Sequence, residues 1–382
     1  MTRLLRALPV PSGQTMLGLL PRLAELLDGR GDAVLPVPAD NADQAHLLAS
    51  ELSADEPIAE DVAIVVSTSG TTGNPKGAML TREALAASGA ATHARLGGTG
   101  QWLLALPPHH IAGMQVLLRS IQAGTDPVVL DVSAGFSISD FVRAATEMTG
   151  SRRYISLVAT QLVKALDDSA ASEALASFDA VLLGGGPLPA TVAIKAAQAR
   201  VPVVRTYGMS ETCGGCVYDG VALSGVQVRV GPEGRISLGG ATVAAGYRNM
   251  PDHKAFAEPG WFHTDDFGEL EDGRLRVLGR LDEAISTGGL TVVPQVVEAA
   301  LGAHPLVAEC AVFGVPDGRL GQRVAAAVVP SAAGTPTLED LREHVTAALD
   351  GTAAPRELHL LDELPRRGIG KLDRRALVKR FS

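Results

Sequence analysis

The sequence predicts an α/β protein in which a large N-terminal doubly wound domain carries an appended small β-subdomain and is followed by an α+β C-terminal domain. From about residue 62 to residue 206, short apolar runs alternate with helical patterns. Such alternation is typical of a largely parallel sheet that binds ligands at the carboxyl ends of its strands. After Gly220 the pattern changes to short strands with glycine turns, and from about Glu283 strands and helices mix again. We therefore place the N-terminal domain at 1–280, its β-subdomain at about 221–280, and the C-terminal domain at 281–382.

The individual elements follow from apolar periodicity, because a buried strand is a short continuous apolar run and a surface helix repeats its apolar residues every turn. The predicted strands of the first region are Val62–Val66, Trp102–Leu106, Val128–Leu130, Tyr154–Val158, Ala180–Leu183 and Val201–Val204. Its predicted helices are Arg82–Arg95, Met114–Ala123, Ser139–Glu147, Gln161–Asp167 and Ala190–Ala199. The predicted strands of the β-subdomain are Val226–Val230, Arg235–Leu238 and Leu275–Leu278. The C-terminal domain is predicted to contain helices Pro294–Leu301 and Leu338–Leu349 and strands Cys310–Phe313, Val324–Val329 and Leu358–Leu360.

Composition limits the classes of function that fit this chain. The formal net charge is −9, and no basic segment is concentrated enough to neutralise a nucleic acid backbone or an anionic membrane. No apolar stretch approaches the length of a membrane span. Three cysteines in 382 residues indicate a reducing compartment, with the cytoplasm as the default. We expect a cytoplasmic protein with small-molecule partners, and neither nucleic acid nor membrane among them.

The most informative segment is the loop that follows the predicted strand Val62–Val66. It reads STSGTTGNPKG from Ser67 to Gly77 and consists mainly of hydroxyl residues and glycines around one lysine. Exposed backbone N–H groups and hydroxyls bind polyphosphates, and Lys76 adds a positive charge. The spacing is not that of a Walker A loop, because Lys76 is followed by glycine where Ser or Thr is required. A phosphate-binding loop is therefore favoured over a plain flexible turn.

Three further loops follow predicted strands of the same sheet. The first, PPHHIAG, contains His109 and His110; the second is GGGP at 184–187; the third is YGMSE at 207–211. Ligand-binding residues collect at this edge of a doubly wound sheet. Taken singly, the loops also fit solvated histidines, a tight strand-to-helix turn and a surface Ser–Glu pair.

Two more segments carry charged candidates. The segment GWFHTDD ends in Asp265 and Asp266, and the following GRLD contains Arg280 and Asp282. The C-terminal segment PRRGIGKLDR contains Lys371. Isolated charges of this kind are usually solvated surface.

In this order, the segments resemble the motifs of the acyl-adenylate-forming superfamily, which includes acyl-CoA ligases, luciferases and peptide-synthetase adenylation domains. The resemblance extends from Ser67 to Lys371 and implies two half-reactions. A carboxylate attacks ATP·Mg²⁺ to give an acyl-adenylate and pyrophosphate, and coenzyme A then takes the acyl group. It also implies that the C-terminal domain is mobile and turns between the two steps.

The resemblance implies a role for each matched residue. Lys371 is the catalytic lysine that stabilises charge on the phosphoryl oxygens, Glu211 holds Mg²⁺, and His110 lines the acyl pocket near the carboxylate. The residues implied to contact ATP are Ser67, Thr68, Ser69, Gly70, Thr71, Thr72, Gly73, Lys76, Gly184, Gly185, Gly186, Pro187, Tyr207, Gly208, Met209, Ser210, Asp266 and Arg280.

Within this set, the resemblance assigns the adenine ring to Tyr207, the α-phosphate to Ser210 and the ribose hydroxyls to Asp266. Asp282 matches the hinge, and Gly288 and Gly289 match the glycines of the coenzyme A channel.

Two features depart from the superfamily or from its chemistry. Asp265 stands where a glycine is usual, which adds a negative charge beside the nucleotide. Cys213 and Cys216 form a C-x-x-C pair, but zinc would need two further ligands and a redox motif would need a thioredoxin-like context. We interpret the two cysteines as small residues beside a substrate pocket.

The short N-terminal region, AGYR at 245–248, and the PPHHIAG and RRGIGK segments most resemble the compact actinobacterial o-succinylbenzoate–CoA ligases of menaquinone biosynthesis. That resemblance implies an aromatic keto-diacid whose second carboxylate needs a cation or donor, and the candidates are His109, Arg119 and Arg153. The alternative is another aryl- or fatty-acyl-CoA ligase of the superfamily. A peptide-synthetase adenylation domain and a catalytically silent nucleotide-binding relative are less favoured. The short N-terminal region also leaves surface for a homodimer.

Overall fold

The computed structural model describes residues 3–68, 75–186, 188–367 and 371–382, with the backbone alone for Arg367 and Lys371. The helices of the described chain are α1 (Leu20–Leu27), α2 (Ala42–Glu51), α3 (Arg82–Arg95), α4 (Ile111–Ala123), α5 (Ile138–Glu147), α6 (Ala159–Leu166), α7 (Ser169–Ala176), α8 (Ala190–Gln198), α9 (Pro294–Leu301), α10 (Leu338–Ala348) and α11 (Arg374–Phe381).

The strands fall into sheets in chain order. Those of the first half are β1 (Leu5–Val10), β2 (Ala33–Pro38), β3 (Val62–Thr68), β4 (Lys76–Thr81), β5 (Gln101–Leu104), β6 (Val128–Val129), β7 (Arg153–Val158), β8 (Ala180–Gly184), β9 (Val203–Met209), β10 (Gly214–Tyr218) and β11 (Val221–Ala222). Those of the second half are β12 (Val226–Val230), β13 (Arg235–Gly240), β14 (Trp261–Glu271), β15 (Arg274–Arg280), β16 (Ile285–Thr287), β17 (Leu290–Val292), β18 (Val307–Asp317), β19 (Gly321–Pro330), β20 (Glu357–Leu360), β21 (Arg366–Arg367) and β22 (Lys371–Leu372).

A sheet of order β11-β10-β9-β8-β7-β5-β6 forms the centre of the N-terminal part. Strands β5 to β9 are parallel to one another, and β10 and β11 continue the sheet in antiparallel pairing. Apolar clusters cover both faces, which confirms the predicted doubly wound α/β fold. The chain passes from β5 to β6 on one side and to β7 on the other, so β5 lies at the switch point where such sheets open a crevice.

The strand of the phosphate-binding loop lies in a different sheet from the one that the alternating pattern suggests. Strand β3 pairs with β2 in parallel and with β4 in an antiparallel hairpin, and β1 completes this second sheet. Neither β1 nor β2 was predicted, because both contain proline, which argues against a strand assignment. All six residues of β2 are nevertheless buried.

The β-subdomain and the C-terminal part each form a sheet of their own. Strands β12, β13, β14 and β15 make an antiparallel sheet within the segment 221–280. Strand β14 was not predicted, because its eleven residues include four acidic side chains that interrupt the apolar pattern. In the C-terminal part, β16 to β20 form a mixed sheet with apolar clusters on both of its faces, one against α9 and α10 and one against α11.

Among the helices of the described residues, none has the length and apolar character needed to cross a membrane.

Candidate active site

The parallel sheet brings the predicted ligand-binding loops to one edge. The loop after β5 leads through His110 into α4, β8 ends at Gly184, and β9 ends at Met209 before a short 3₁₀ turn that contains Glu211. Gly208 is required for this packing, because a Cβ atom there would lie 2.1 Å from the carbonyl oxygen of Gly214 in the neighbouring strand. The strand ends are therefore held close together at the carboxyl edge of the sheet.

Asp266 stands at the centre of a polar network between the sheet and the β-subdomain. The hydroxyl of Tyr207 donates to Oδ2 of Asp266 at 2.7 Å, and Arg280 donates to Oδ1 at 3.3 Å. Arg280 also donates twice to Asp282, at 2.8 and 2.9 Å. The hydroxyl of Thr264 accepts from the backbone N–H of Asp266 and fixes its position.

Burial and charge set the protonation states in this network. Burial raises the pKa of Asp266, while Tyr207 and Arg280 act in the opposite direction. Burial, together with Asp266, raises the pKa of Tyr207 well above its ordinary value, so its hydroxyl remains a donor. Burial would lower the pKa of Arg280, but Asp282 and Asp266 raise it overall. The network is a buried carboxylate oriented by a phenol and a guanidinium.

Glu211 follows the end of β9 and is oriented by a residue far away in the sequence. Its carboxylate is buried, and the hydroxyl of Tyr247 donates to Oε1 at 2.5 Å. The backbone carbonyl of Glu211 accepts from Ala244 at 2.8 Å. Burial, with a contribution from Glu211, raises the pKa of Tyr247, so the phenol stays protonated as a donor.

The same segment supports the exit of the phosphate-binding loop. Backbone bonds join Arg248 to Gly77 at 2.7 Å and Met79 to Gly246 at 2.9 Å. Asn249 donates to the carbonyl oxygen of Pro75 at 2.9 Å. Segment 245–249 therefore runs alongside the start of β4, where Lys76 lies.

Lys76 contacts two side chains of the same stretch. Its Nζ atom lies 5.1 Å from the ring centroid of Tyr247 and 3.2 Å from Nε2 of His253. The rings of Tyr247 and His253 meet edge to face with centroids 5.0 Å apart. Sequence reasoning noted Tyr247 only as part of AGYR and assigned neither it nor His253 a role, because both lie in the irregular segment between β13 and β14. Only the three-dimensional structure brings them to Lys76.

The two histidines predicted for the acyl side lie at the start of α4. The ring centroids of His109 and His110 are 4.4 Å apart, and burial lowers the pKa of His109. Behind them, Gln115 is almost fully buried and donates to the carbonyl oxygen of Cys213 at 2.7 Å, while its own side-chain oxygen has no partner among the described residues. Gly214 adds no side chain between Gln115 and Ile111. These residues border the crevice on the side of α4 and β10.

The other two acyl-binding candidates, Arg119 and Arg153, lie away from His109 and His110. Arg153 is the first residue of β7 and donates to the carbonyl oxygen of Gly150, so it lies at the amino edge of the sheet. Arg119 is buried in α4 with its guanidinium 5.2 Å from the ring of Trp102, the second residue of β5. Both therefore lie at the amino ends of the strands, whereas His110 lies at the carboxyl ends. The sequence suggested these two residues only because they are positively charged.

Asp265 points away from the network of Asp266. Its side chain is exposed and pairs with Arg235 at 3.2 Å. In strand β14 successive side chains alternate between the two faces, so the adjacent carboxylates separate. The charge that replaces the usual glycine is thus directed to solvent.

The hinge and channel candidates lie where the C-terminal part begins. Asp282 is held by Arg280, whereas the next residue, Glu283, accepts from Gln295 at 2.5 Å and from Arg374. Gly288 and Gly289 form the two-residue turn between β16 and β17, with φ of 59° and 80°, a conformation that favours glycine.

Several predicted residues lie outside the described part of the chain. They are Ser69, Gly70, Thr71, Thr72, Gly73 and Pro187. Ser67, Thr68 and Lys76 are described at the facing ends of β3 and β4, and the backbone of Lys371 lies in β22.

The C-x-x-C pair is buried in β10 and the turn before it. Burial raises the pKa of both thiols, that of Cys216 to about 12. Within 3–68, 75–186, 188–367 and 371–382, no group of three or more His, Cys, Asp or Glu side chains is placed to hold a metal ion. These buried thiols have the character of small core residues.

Comparison with known proteins gives consistent matches over the whole chain. The family model described as AMP-binding enzyme matches residues 20–248, and the one described as AMP-binding enzyme C-terminal domain matches residues 296–371. A probable 2-succinylbenzoate–CoA ligase of Mycobacterium tuberculosis is 60% identical over 382 residues, which cover 99% of each chain.

Solved structures of the o-succinylbenzoate coenzyme A synthetase of Bacillus subtilis share the fold. Its complex with ATP and magnesium ion is 26% identical with a TM-score of 0.81, covering 98% of this chain and 89% of that chain. Its complex with the acyl-adenylate intermediate OSB-AMP is 27% identical with a TM-score of 0.76, covering 98% and 87%.

Proposed function

Because the chain belongs to the AMP-binding enzyme family, we propose that it is a 2-succinylbenzoate–CoA ligase of menaquinone biosynthesis. The first half-reaction joins a substrate carboxylate to the α-phosphorus of ATP and releases pyrophosphate. The second transfers the acyl group from the adenylate to the thiol of coenzyme A and releases AMP. The choice of 2-succinylbenzoate as substrate rests on the 60% identity to the Mycobacterium tuberculosis ligase over 99% of each chain. The polar networks around Asp266 and Glu211 support the adenylation chemistry.

Nucleotide binding is proposed for the network around Asp266. A carboxylate accepts two hydrogen bonds from the vicinal hydroxyls of a ribose. Tyr207 and Arg280 hold this carboxylate in place from two sides before any ligand arrives, which reduces the ordering needed on binding. Gly184–Gly186 and the ring of Tyr207 would flank the adenine.

The phosphates are assigned to the loop between β3 and β4, with Lys76 at its exit, and the magnesium ion to Glu211. Mg²⁺ prefers oxygen ligands and keeps several waters, so one carboxylate together with phosphate oxygens fits its requirements. Bound there, Mg²⁺ neutralises charge on the phosphates. The hydroxyl of Tyr247 fixes the orientation of the Glu211 carboxylate.

Tyr247→Phe is expected to raise the Mg²⁺ concentration that adenylation requires, without unfolding the protein. The variant keeps the ring beside Lys76 but removes the hydroxyl that orients Glu211. Loss of such an orienting partner weakens metal affinity or activity roughly 10-fold. The measurement is the Mg²⁺ concentration for half-maximal adenylation.

Tyr218→Phe serves as the matched control, since it removes a buried hydroxyl that bonds only to Thr92 among the contacts described. An equal Mg²⁺ requirement in the two variants would contradict the role of Tyr247.

The acyl group is assigned to the crevice at the start of α4, with His110 near the reacting carboxylate. Of the three candidates for the second carboxylate, His109 is the one at this edge. Lys371 is assigned the role of catalytic lysine, and Asp282 that of the hinge. The C-terminal part would turn about Asp282 so that coenzyme A reaches the adenylate past Gly288 and Gly289. We propose that the protein is located in the cytoplasm, which is consistent with its free cysteines. The homodimer remains a prediction, which analytical ultracentrifugation would test.

The experiment that tests this function is exchange of pyrophosphate into ATP with a panel of carboxylic acids. We expect 2-succinylbenzoate to exceed benzoylpropionate, which lacks only the ring carboxylate, by about 10²-fold or more in kcat/KM, because the donor for that group would stay unpaired. Fatty acids and other aryl acids serve as further comparisons. Equal or higher rates with one of them would move the assignment to another acyl-CoA ligase.

A further inference from the structure

His253 is fixed between two groups that both donate hydrogen bonds. Its Nδ1 atom accepts from the backbone N–H of Ala255 at 3.2 Å, at the start of a 3₁₀ turn. Its Nε2 atom lies 3.2 Å from Nζ of Lys76. A backbone amide and a lysine ammonium have no acceptor to offer.

No ordinary protonation state of the imidazole satisfies both contacts. With Nδ1 accepting from Ala255, the neutral ring carries its proton on Nε2 and turns a donor toward the ammonium of Lys76. The other tautomer would turn a donor toward the amide of Ala255, and the imidazolium would do both. Burial and then the charge of Lys76 lower the pKa of His253, which favours the neutral ring. Two converging donors with no acceptor between them in the described part of the chain are suited to an anion.

We propose that His253 binds the β- or γ-phosphate of ATP through Nε2–H, together with Nζ of Lys76. The inference rests on the proposed function and adds a phosphate-binding residue to that site. Lys76 supplies the charge, and the imidazole supplies a directed neutral donor, so the two donors span neighbouring oxygens of one phosphate group.

The surroundings join His253 to the start of β4, at the exit of the phosphate-binding loop. Its ring packs edge to face on Tyr247, whose hydroxyl orients Glu211. Asn249 accepts from the backbone N–H of Gly77 and donates to Pro75, on either side of Lys76. A single segment, residues 247–253, therefore contacts the loop exit and the carboxylate assigned to Mg²⁺ and carries the imidazole.

Binding of ATP·Mg²⁺ and of AMP, each without carboxylic acid, tests the proposal by isothermal titration calorimetry. His253→Phe keeps a ring against Tyr247 and removes the donor. We expect ATP affinity to fall about 10-fold, as for loss of one hydrogen bond to a charged group, with AMP affinity within about 2-fold of the unmodified protein. His253→Gln offers an oxygen to Ala255 and an N–H to the phosphate, so it should recover most of the ATP affinity. His46→Phe, at an exposed position of α2, is the control.

Each alternative outcome has a distinct meaning. Unchanged ATP affinity in His253→Phe, or an equal loss for ATP and AMP, would overturn the phosphate contact while leaving the proposed ligase intact. Failure of the unmodified protein to bind ATP at all would overturn both.

Discussion

Lys371→Ala is expected to lower the rate of adenylation by about 10²–10³-fold while leaving thioester formation from the adenylate nearly unchanged. Attack of a carboxylate on the α-phosphorus brings two anions together and increases charge on the phosphoryl oxygens and pyrophosphate. A positive group placed there stabilises the transition state more than the ground state. In the second half-reaction that charge no longer develops, so the lysine has no equivalent role.

The two half-reactions are measured separately in this variant. Formation of acyl-adenylate from ATP and 2-succinylbenzoate reports the first, and transfer from prepared acyl-adenylate to coenzyme A reports the second. Lys379→Ala removes an exposed lysine in the last turn of α11 and is the matched control. An undiminished adenylation rate in Lys371→Ala, or equal losses in both steps, would show that Lys371 does not act as proposed.

Asp266→Asn is expected to lower kcat/KM for ATP by roughly 10²-fold, which corresponds to about 3 kcal/mol of lost transition-state binding. The carboxylate accepts from both Tyr207 and Arg280. An amide keeps one oxygen and presents an N–H₂ group where the second donor points. It also loses the charge that opposes Arg280, so both the ribose contacts and the preformed network weaken.

Asp265→Asn provides a matched control in the next residue of the same strand. Its carboxylate is exposed and pairs with Arg235, so we expect a change of less than about 3-fold. Steady-state kinetics with varied ATP, together with AMP binding, compare the two variants. Similar losses of kcat/KM in both variants would mean that ATP binding depends on the local negative charge in general and that Asp266 makes no specific contact with the nucleotide.

The parts of the fold that sequence predicted are those with local signals. Buried parallel strands such as β7 and β8 are continuous apolar runs, and their alternation with helices defines the doubly wound sheet. Strands β1 and β2 were not predicted because their prolines argue against a strand. In the folded protein, burial of both segments overrides this local preference. Strand β14 was missed because four acidic side chains interrupt its apolar pattern, and one of them, Asp266, is held by Tyr207 and Arg280.

The candidate site likewise contains residues that the sequence indicated and residues that only the structure reveals. The glycine-rich loops were selected because their residue types follow predicted strands, and Asp266 was selected through the resemblance of GWFHTDD to a motif of the superfamily. Tyr247 and His253 lie in an irregular segment, and their partners Glu211 and Lys76 are distant in sequence, so no local pattern reveals the contacts. Arg119 was selected for its charge, and only the structure shows that its guanidinium packs on the ring of Trp102.

The central claim is that one cleft adenylates 2-succinylbenzoate and then passes the acyl group to coenzyme A. Rapid quenching of the protein with ATP·Mg²⁺ and 2-succinylbenzoate, followed by mass spectrometry, tests it most directly. We predict 2-succinylbenzoyl-AMP in an amount close to that of the protein, and its conversion to 2-succinylbenzoyl-CoA and AMP when coenzyme A is added. Absence of the adenylate, or an adenylate that coenzyme A does not consume, would contradict the account.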